Sequence, residues 1–172
     1  MRRLRGFLLV GICILAVLLS GCASKKEKEA AKTEFLQWMF TSNLDGRYEK
    51  VQAHEDASTA MDKIEEEYYK DIKGKITQHV YEVIAKKRMP YKFDEMTLGH
   101  DVEITDIKFS GDNFSAGLWF HTTEDKSALT SYIMYGVLET KEEDSVLKIS
   151  GFKINDEADF WKRFSEGLEK AK

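Results

Sequence analysis

Leu36, Phe40, Leu44, Tyr48 and Val51 recur at three- to four-residue steps, the period of an amphipathic helix. Asn43-Leu44-Asp45-Gly46 interrupts the series with turn-forming residues and predicts one long helix followed by a short one. Met61, Ile64, Tyr68, Ile72, Ile76, Val80 and Val83 mark a second helix or pair of helices, with Gly74 as a break. Met89-Pro90 is expected to end it, because the residue before proline is driven away from helical geometry.

From Val102 the period becomes two. Phe114, Ala116, Leu118 and Phe120 alternate with Ser115, Gly117, Trp119 and His121, and Ser110-Gly111-Asp112-Asn113 supplies the turn before them. The stretch LTSYIMYGVL, residues 129–138, is apolar or aromatic on both faces and reads as a central strand covered on each side. Lys141-Glu142-Glu143-Asp144 then forms a polar turn into Val146–Ile154. Two strands slip phase: Val102 and Ile104 give way to Ile107 and Phe109, and Leu147 and Ile149 to Phe152 and Ile154. One extra residue in each restores the alternation, so a β-bulge is expected in both. A last helix begins near Asn155-Asp156, carries Glu157 and Asp159 in its first turn, and presents Trp161, Phe164 and Leu168 as its apolar stripe.

The N-terminus changes the picture. Met1-Arg2-Arg3-Leu4-Arg5 is basic, and the run FLLVGICILAVLLS over residues 7–20 has no charge. Such a run reaches roughly 21 Å as a helix, short of the roughly 30 Å hydrocarbon core, so it reads as a signal peptide and not as a permanent span. Leu19-Ser20-Gly21-Cys22 follows and resembles the lipobox of bacterial lipoproteins. The resemblance implies that residues 1–21 are removed and that Cys22 becomes the acylated first residue. It would then lie in a bacterial cell membrane on the extracytoplasmic face. Ala23 carries no aspartate retention signal, so an outer-membrane address follows in a two-membrane cell. Two acyl chains hold stably where one holds only marginally, at about 0.8 kcal/mol per buried methylene. Residues 22–30 then form a short tether, with Lys25, Lys26 and Lys28 beside anionic headgroups or on the solvated start of a helix.

Removal of that segment leaves about 150 residues, one domain over residues 31–172, too short for a two-lobed solute receptor. The segment holds three arginines and no acid, so 23 basic residues face 30 acidic ones, a net charge of −7. Such a surface repels nucleic acid. Cys13 leaves with the signal peptide, so the domain has no thiol for a disulfide and depends on its core.

Phe35-Leu36-x-x-Met39-Phe40 followed by Asp45-Gly46-Arg47-Tyr48-Glu49-Lys50-Val51, and helices ahead of four antiparallel strands, resemble the NTF2-like (cystatin-like) superfamily over residues 30–154. The resemblance implies an α+β fold, with N-terminal helices packed on a curved four-stranded antiparallel sheet. The C-terminal helix departs from the minimal pattern and is placed to cover the mouth of the cone. The superfamily holds isomerases and dehydratases beside non-catalytic envelope domains, so fold alone selects no activity.

Candidate chemistry is sparse. His79 and Glu82 share a helical face at a metal-compatible spacing, but two ligands make no site and an exposed pair is the expectation. His54-Glu55-Asp56 offers three donors where Asp56 serves better as an N-cap to a helix starting near Ala57. His121, followed by Thr122-Thr123-Glu124, has a suitable pKa for a general base if its face lines the cone, although a satisfied or exposed strand-end histidine is the plainer expectation. His100 sits in a Gly-His-Asp loop and supports no stronger claim. No phosphate loop, nucleophile elbow or cysteine nucleophile is present, and no cofactor or metal is expected. The candidate ligand-binding residues are Trp119, His121, Tyr132 and Tyr135. The expected role is non-catalytic binding of an envelope protein or peptide by a lipoprotein anchored through Cys22. A small enzyme acting on an apolar substrate in the cone, or an immunity-type lipoprotein that sequesters a peptide, is the alternative.

Overall fold

The computed structural model describes residues 23–53, 62–121 and 129–170, the side chains of His121 and Leu129 excepted. The apolar run, the lipobox with Cys22, Met61, His54-Glu55-Asp56 with the helix start at Ala57, and Thr122-Thr123-Glu124 lie outside the described residues.

Helix α1 spans Lys25–Phe40, so the stretch expected as a tether is helical from Lys25 onward. Ser24 starts it with a reciprocal cap, its hydroxyl accepting from the Glu27 amide at 3.2 Å while its own amide donates to the Glu27 carboxylate at 2.6 Å. Phe35, Leu36, Met39 and Phe40 form its buried face, together with Lys32. Lys32 donates at 3.0 Å to the Gly111 carbonyl and at 2.8 Å to Asp112, which binds α1 to the first hairpin turn. After the left-handed Asn43, a 3-10 turn at Leu44–Gly46 leads into helix α2, Arg47–Gln52, where the interruption was expected.

The second apolar series stays buried at Ile64, Tyr68, Ile72, Ile76 and Val80, but no single helix carries it. A π-turn at Glu65–Tyr69, a 3-10 turn at Lys73–Lys75 and an extended Ile76 precede helix α3, Gln78–Lys87. Pro90 does not end helical structure. Arg88 takes a left-handed conformation (φ 50°) that closes α3, and Pro90 then stands in the first turn of helix α4, Met89–Met96. Proline is well suited there, since the first-turn amides have no helical partner to lose.

The sheet consists of β1 (Val102–Ser110), β2 (Asn113–His121), β3 (Leu129–Glu143) and β4 (Val146–Ile154), antiparallel in the order β1-β2-β3-β4. Both expected bulges are present. Thr105 pairs with Gly117 and Lys108 with Ser115, leaving one extra residue in β1, and Asp106 there takes φ 52°. Glu139 pairs with Gly151 and Thr140 with Ile149, leaving Ser150 extra in β4. β3 continues through Lys141–Glu143, and the polar turn is only Asp144-Ser145, both with positive φ, which matches the twist of the flanking strands. The outer edge of β4 is met by the chain at Ile76, which bridges Ile149, while the Thr77 amide donates to the Ile149 carbonyl at 2.9 Å.

Helix α5, Glu157–Lys170, returns over the sheet. Phe164 is fully buried, with its ring 5.9 Å from Phe120, 5.9 Å from Tyr132 and 6.1 Å from Phe93. Gly167 is seated so closely on Tyr132 that a Cβ there would lie 2.5 Å from its Cζ and 2.7 Å from its Cε2. With Phe40, Phe152 and Phe160, these rings fill the concave side of the sheet. The arrangement is α+β and NTF2-like, with N-terminal helices on a curved four-stranded antiparallel sheet and one C-terminal helix.

The helices are joined by a buried ion pair. Arg47 Nε donates to Asp94 Oδ2 at 2.7 Å, with the two side chains 4% and 0% exposed. Asp94 also accepts from the Asn43 amide and the Tyr68 hydroxyl, each at 2.8 Å, while Arg47 reaches the carbonyls of Trp38 (2.7 Å) and Thr41 (3.2 Å). Burial, followed by the adjacent Asp94 carboxylate, pushes the Tyr68 phenol far above its ordinary pKa and keeps it a donor.

Two substitutions test these contacts. Asp94→Ala leaves Arg47 buried without its anion and is expected to cost about 3–5 kcal/mol in urea unfolding, most of it recovered by adding Arg47→Met. Gly167→Ala, worth roughly 1 kcal/mol of stabilisation in an open helix, is expected here to lower the melting temperature, with partial recovery when Tyr132→Phe removes the hydroxyl.

Candidate functional site

Alternation along β2 and β3 divides their side chains between two faces. Phe114, Ala116, Leu118 and Phe120 with Tyr132, Met134 and Leu138 point to the concave, helix-covered side. Trp119 and Tyr135 share the convex face, with the His121 position on the same side by register, whereas Tyr132 lies beneath α5. The four candidate ligand-binding residues therefore form no single pocket. Trp119 does not line the cone.

The convex face also corrects the reading of β3. Ile133 and Tyr135 are each 56% exposed, so β3 is covered on one side only. The helices pack on the concave face, and the apolar residues at alternate positions of β3 stand outward. Ile133 pairs with Gly117 and Tyr135 with Ser115, so the neighbouring β2 positions carry no bulk. Trp119 takes the space this leaves. Its ring lies along Gly117, where a Cβ would approach Cδ1 to 3.1 Å and the indole nitrogen still closer. The indole N–H is shielded from solvent without a hydrogen-bond partner, an arrangement that costs stability. Glu103 and Lys108 on β1 and Lys153 and Glu139 at the β4 side are exposed around this apolar centre.

The histidine candidates are separated. His79 and Glu82 are both exposed on α3, where Glu82 accepts from Gln78 at 2.9 Å. His100 is buried, its ring edge-on to Phe120 at 5.8 Å. Among the described residues no group of three or more His, Cys, Asp or Glu could hold a metal ion. No helix among them is long and apolar enough to cross a membrane.

Another charged cluster, unmarked in the sequence reading, joins Glu65, Lys73 and Tyr81. The Tyr81 hydroxyl donates to Glu65 at 2.5 Å, and Lys73 pairs with Glu65 and lies over the Tyr81 ring, 4.9 Å from its centre. Burial pushes the Glu65 carboxyl up, but the hydrogen bonds from Lys73 and Tyr81 outweigh it and hold the pKa below the ordinary value. The cluster staples the π-turn to α3. The exposed outward residues Ile133 and Tyr135 were legible as apolar, but their sidedness was not.

Comparison with protein-family models, with the curated proteins and with the solved structures finds no match to this chain.

Because Ile133 and Tyr135 are each 56% exposed, Ile133→Thr and Tyr135→Thr are each expected to change the unfolding free energy by less than about 0.5 kcal/mol. Met134→Ala on the opposite face of the same strand is expected to cost about 2–5 kcal/mol. Denaturant titrations of the three variants distinguish a face kept for packing from one left for contact.

Proposed function

We propose that this chain is a bacterial lipoprotein, acylated at Cys22 and held on the extracytoplasmic face of the membrane, whose domain is a non-catalytic docking module for another envelope protein. The observation that carries the docking role is the convex sheet face, where Ile133 and Tyr135 are 56% exposed beside the half-buried Trp119. Large outward apolar side chains grouped on one face mark an interaction surface more than a packing accident. Tyr and Trp suit such a surface because they offer broad, rigid, amphipathic contact.

The concave side supports the same reading. In a cone-shaped fold a substrate would enter the hollow between sheet and helices, and here Phe93, Phe120, Tyr132, Phe160 and Phe164 occupy it with ring contacts of 5.9–6.1 Å. The anchoring half of the proposal rests on the basic start, the short apolar run and Leu19-Ser20-Gly21-Cys22. With α1 beginning at Lys25, only Ala23 and Ser24 separate the acylated residue from the rigid domain. At most about 3.6 Å per residue is available from such a link, so the partner would lie at the membrane surface.

Mass spectrometry of the protein from its native membrane tests the anchor. Wild type is expected to carry a diacylglyceryl-sized increment at Cys22, and Cys22→Ala to lack it and leave the membrane; an unmodified, soluble wild type would overturn it. A photocrosslinking residue at Tyr135 tests docking, with a defined protein adduct expected there and not at the exposed helical position Lys162. Equal or absent labelling at both positions would count against the convex face.

A further inference from the structure

We infer that the hollow beside Trp38 is a binding groove for a basic side chain carried by an extended peptide, a site on the helix side of β1 that meets the convex sheet face at Glu103 on the strand's edge. The hollow has a volume of about 490 Å³ and lies between the C-terminal half of α1, the start of β1 and the turn at residues 71–75. That is the size range of small-ligand sites. Glu34, Gln37 and Trp38 of α1, with Thr41 at its C-cap, bring the end of the helix to it.

Trp38 is a fixed wall. Its indole N–H donates to the Tyr68 carbonyl at 3.1 Å, and its ring leans on Phe35 at 5.7 Å and Tyr69 at 6.1 Å, yet the side chain remains only half-buried. Leu44, Ile72 and Ile104 add apolar surface. The charges are unbalanced. Lys75 is committed to Glu34 at 2.5 Å, while Asp71 and Glu103 line the same hollow, are exposed, and make no ion pair among the described residues. An aromatic wall with apolar surface and two uncompensated carboxylates selects a cation on a hydrocarbon stem. The stem packs on the apolar surface and the head meets the indole and the carboxylates.

The hollow does not end at Trp38. Trp38, Leu44 and Asp71 also line a second hollow of about 260 Å³, where Lys50 is paired with Glu67, Glu66 with Lys63 and Arg47 with Asp94. An occupant that extends to both sides of the indole is therefore a peptide segment and not an isolated amine. The net charge of −7 on residues 22–172 draws such a segment in.

The test is calorimetric titration of the full chain in detergent with the blocked peptide acetyl-Leu-Arg-Leu-Ser-amide, its citrulline counterpart and agmatine, at low and high ionic strength. The arginine peptide is expected to bind more weakly as salt rises, and Asp71→Asn and Glu103→Gln each to weaken it by about two- to fivefold, the range for exposed charge pairs. Both positions are exposed, so the variants are expected to melt as wild type does. Equal binding of the citrulline peptide, unchanged affinity in both variants, or no binding at millimolar peptide would overturn the inference. Agmatine binding as tightly as the peptide would overturn the peptide assignment in favour of a small organic cation.

Discussion

The helical half of this protein is organised around one charge that cannot reach water. Arg47 is held below the surface, and its position is tolerable only because Asp94 meets it at 2.7 Å through Nε and again through Nη2, while the carbonyls of Trp38 and Thr41 accept from two more of its N–H groups. With the donors to Asp94 included, the network draws on four places in the chain besides α2: the end of α1, the turn at Asn43, the π-turn through Tyr68, and α4. A buried ion pair contributes little net stability, since desolvation offsets most of the attraction, but misplacing one member is expensive. Any packing of these segments that separates Arg47 from Asp94 is penalised, which fixes how α2 and α4 meet the end of α1. The Trp38 hollow inherits its shape from this junction, because the Tyr68 carbonyl orients the indole.

The sheet divides its two faces between different tasks. The concave face is committed to folding, with aromatic side chains from α1, α4, α5 and three strands in mutual contact. Closure by α5 leaves the two proposed contact surfaces at the periphery: the outward residues of β2 and β3, and the hollow beside Trp38. On that proposal the protein keeps the frame of a cone-shaped fold and makes its contacts outside the cone.

Legibility in the sequence followed the kind of signal each feature leaves. Both bulges were readable, because a period of two that slips by one residue leaves a visible defect between Ile104 and Ile107 and between Ile149 and Phe152. The break at Asn43–Gly46 was similarly marked by residue type. Helix α4 was missed, since proline suits a helix start as well as an end and Arg88 gives no hint of its left-handed backbone. Arg47 and Asp94 were missed because a charged residue reads as exposed until its partner is found, and these two lie 47 positions apart. The candidate site was half legible. The alternation placed Tyr132 and Tyr135 on opposite faces, yet which face the helices would cover depends on tertiary packing, and so the side taken by Trp119 was left open.

The treatment of the sheet margins bears on how the protein behaves when many copies are crowded together. A four-stranded open sheet has two unpaired borders, and an unpaired border recruits other chains into continuous ladders. Here the β4 border is met by Ile76 and Thr77, and the β1 border is broken by the bulge at Asp106 and lined by Glu103 and Lys108. Neighbouring copies gathered in two dimensions would meet kinked, charged or already paired margins, so crowding need not lead to fibrous growth.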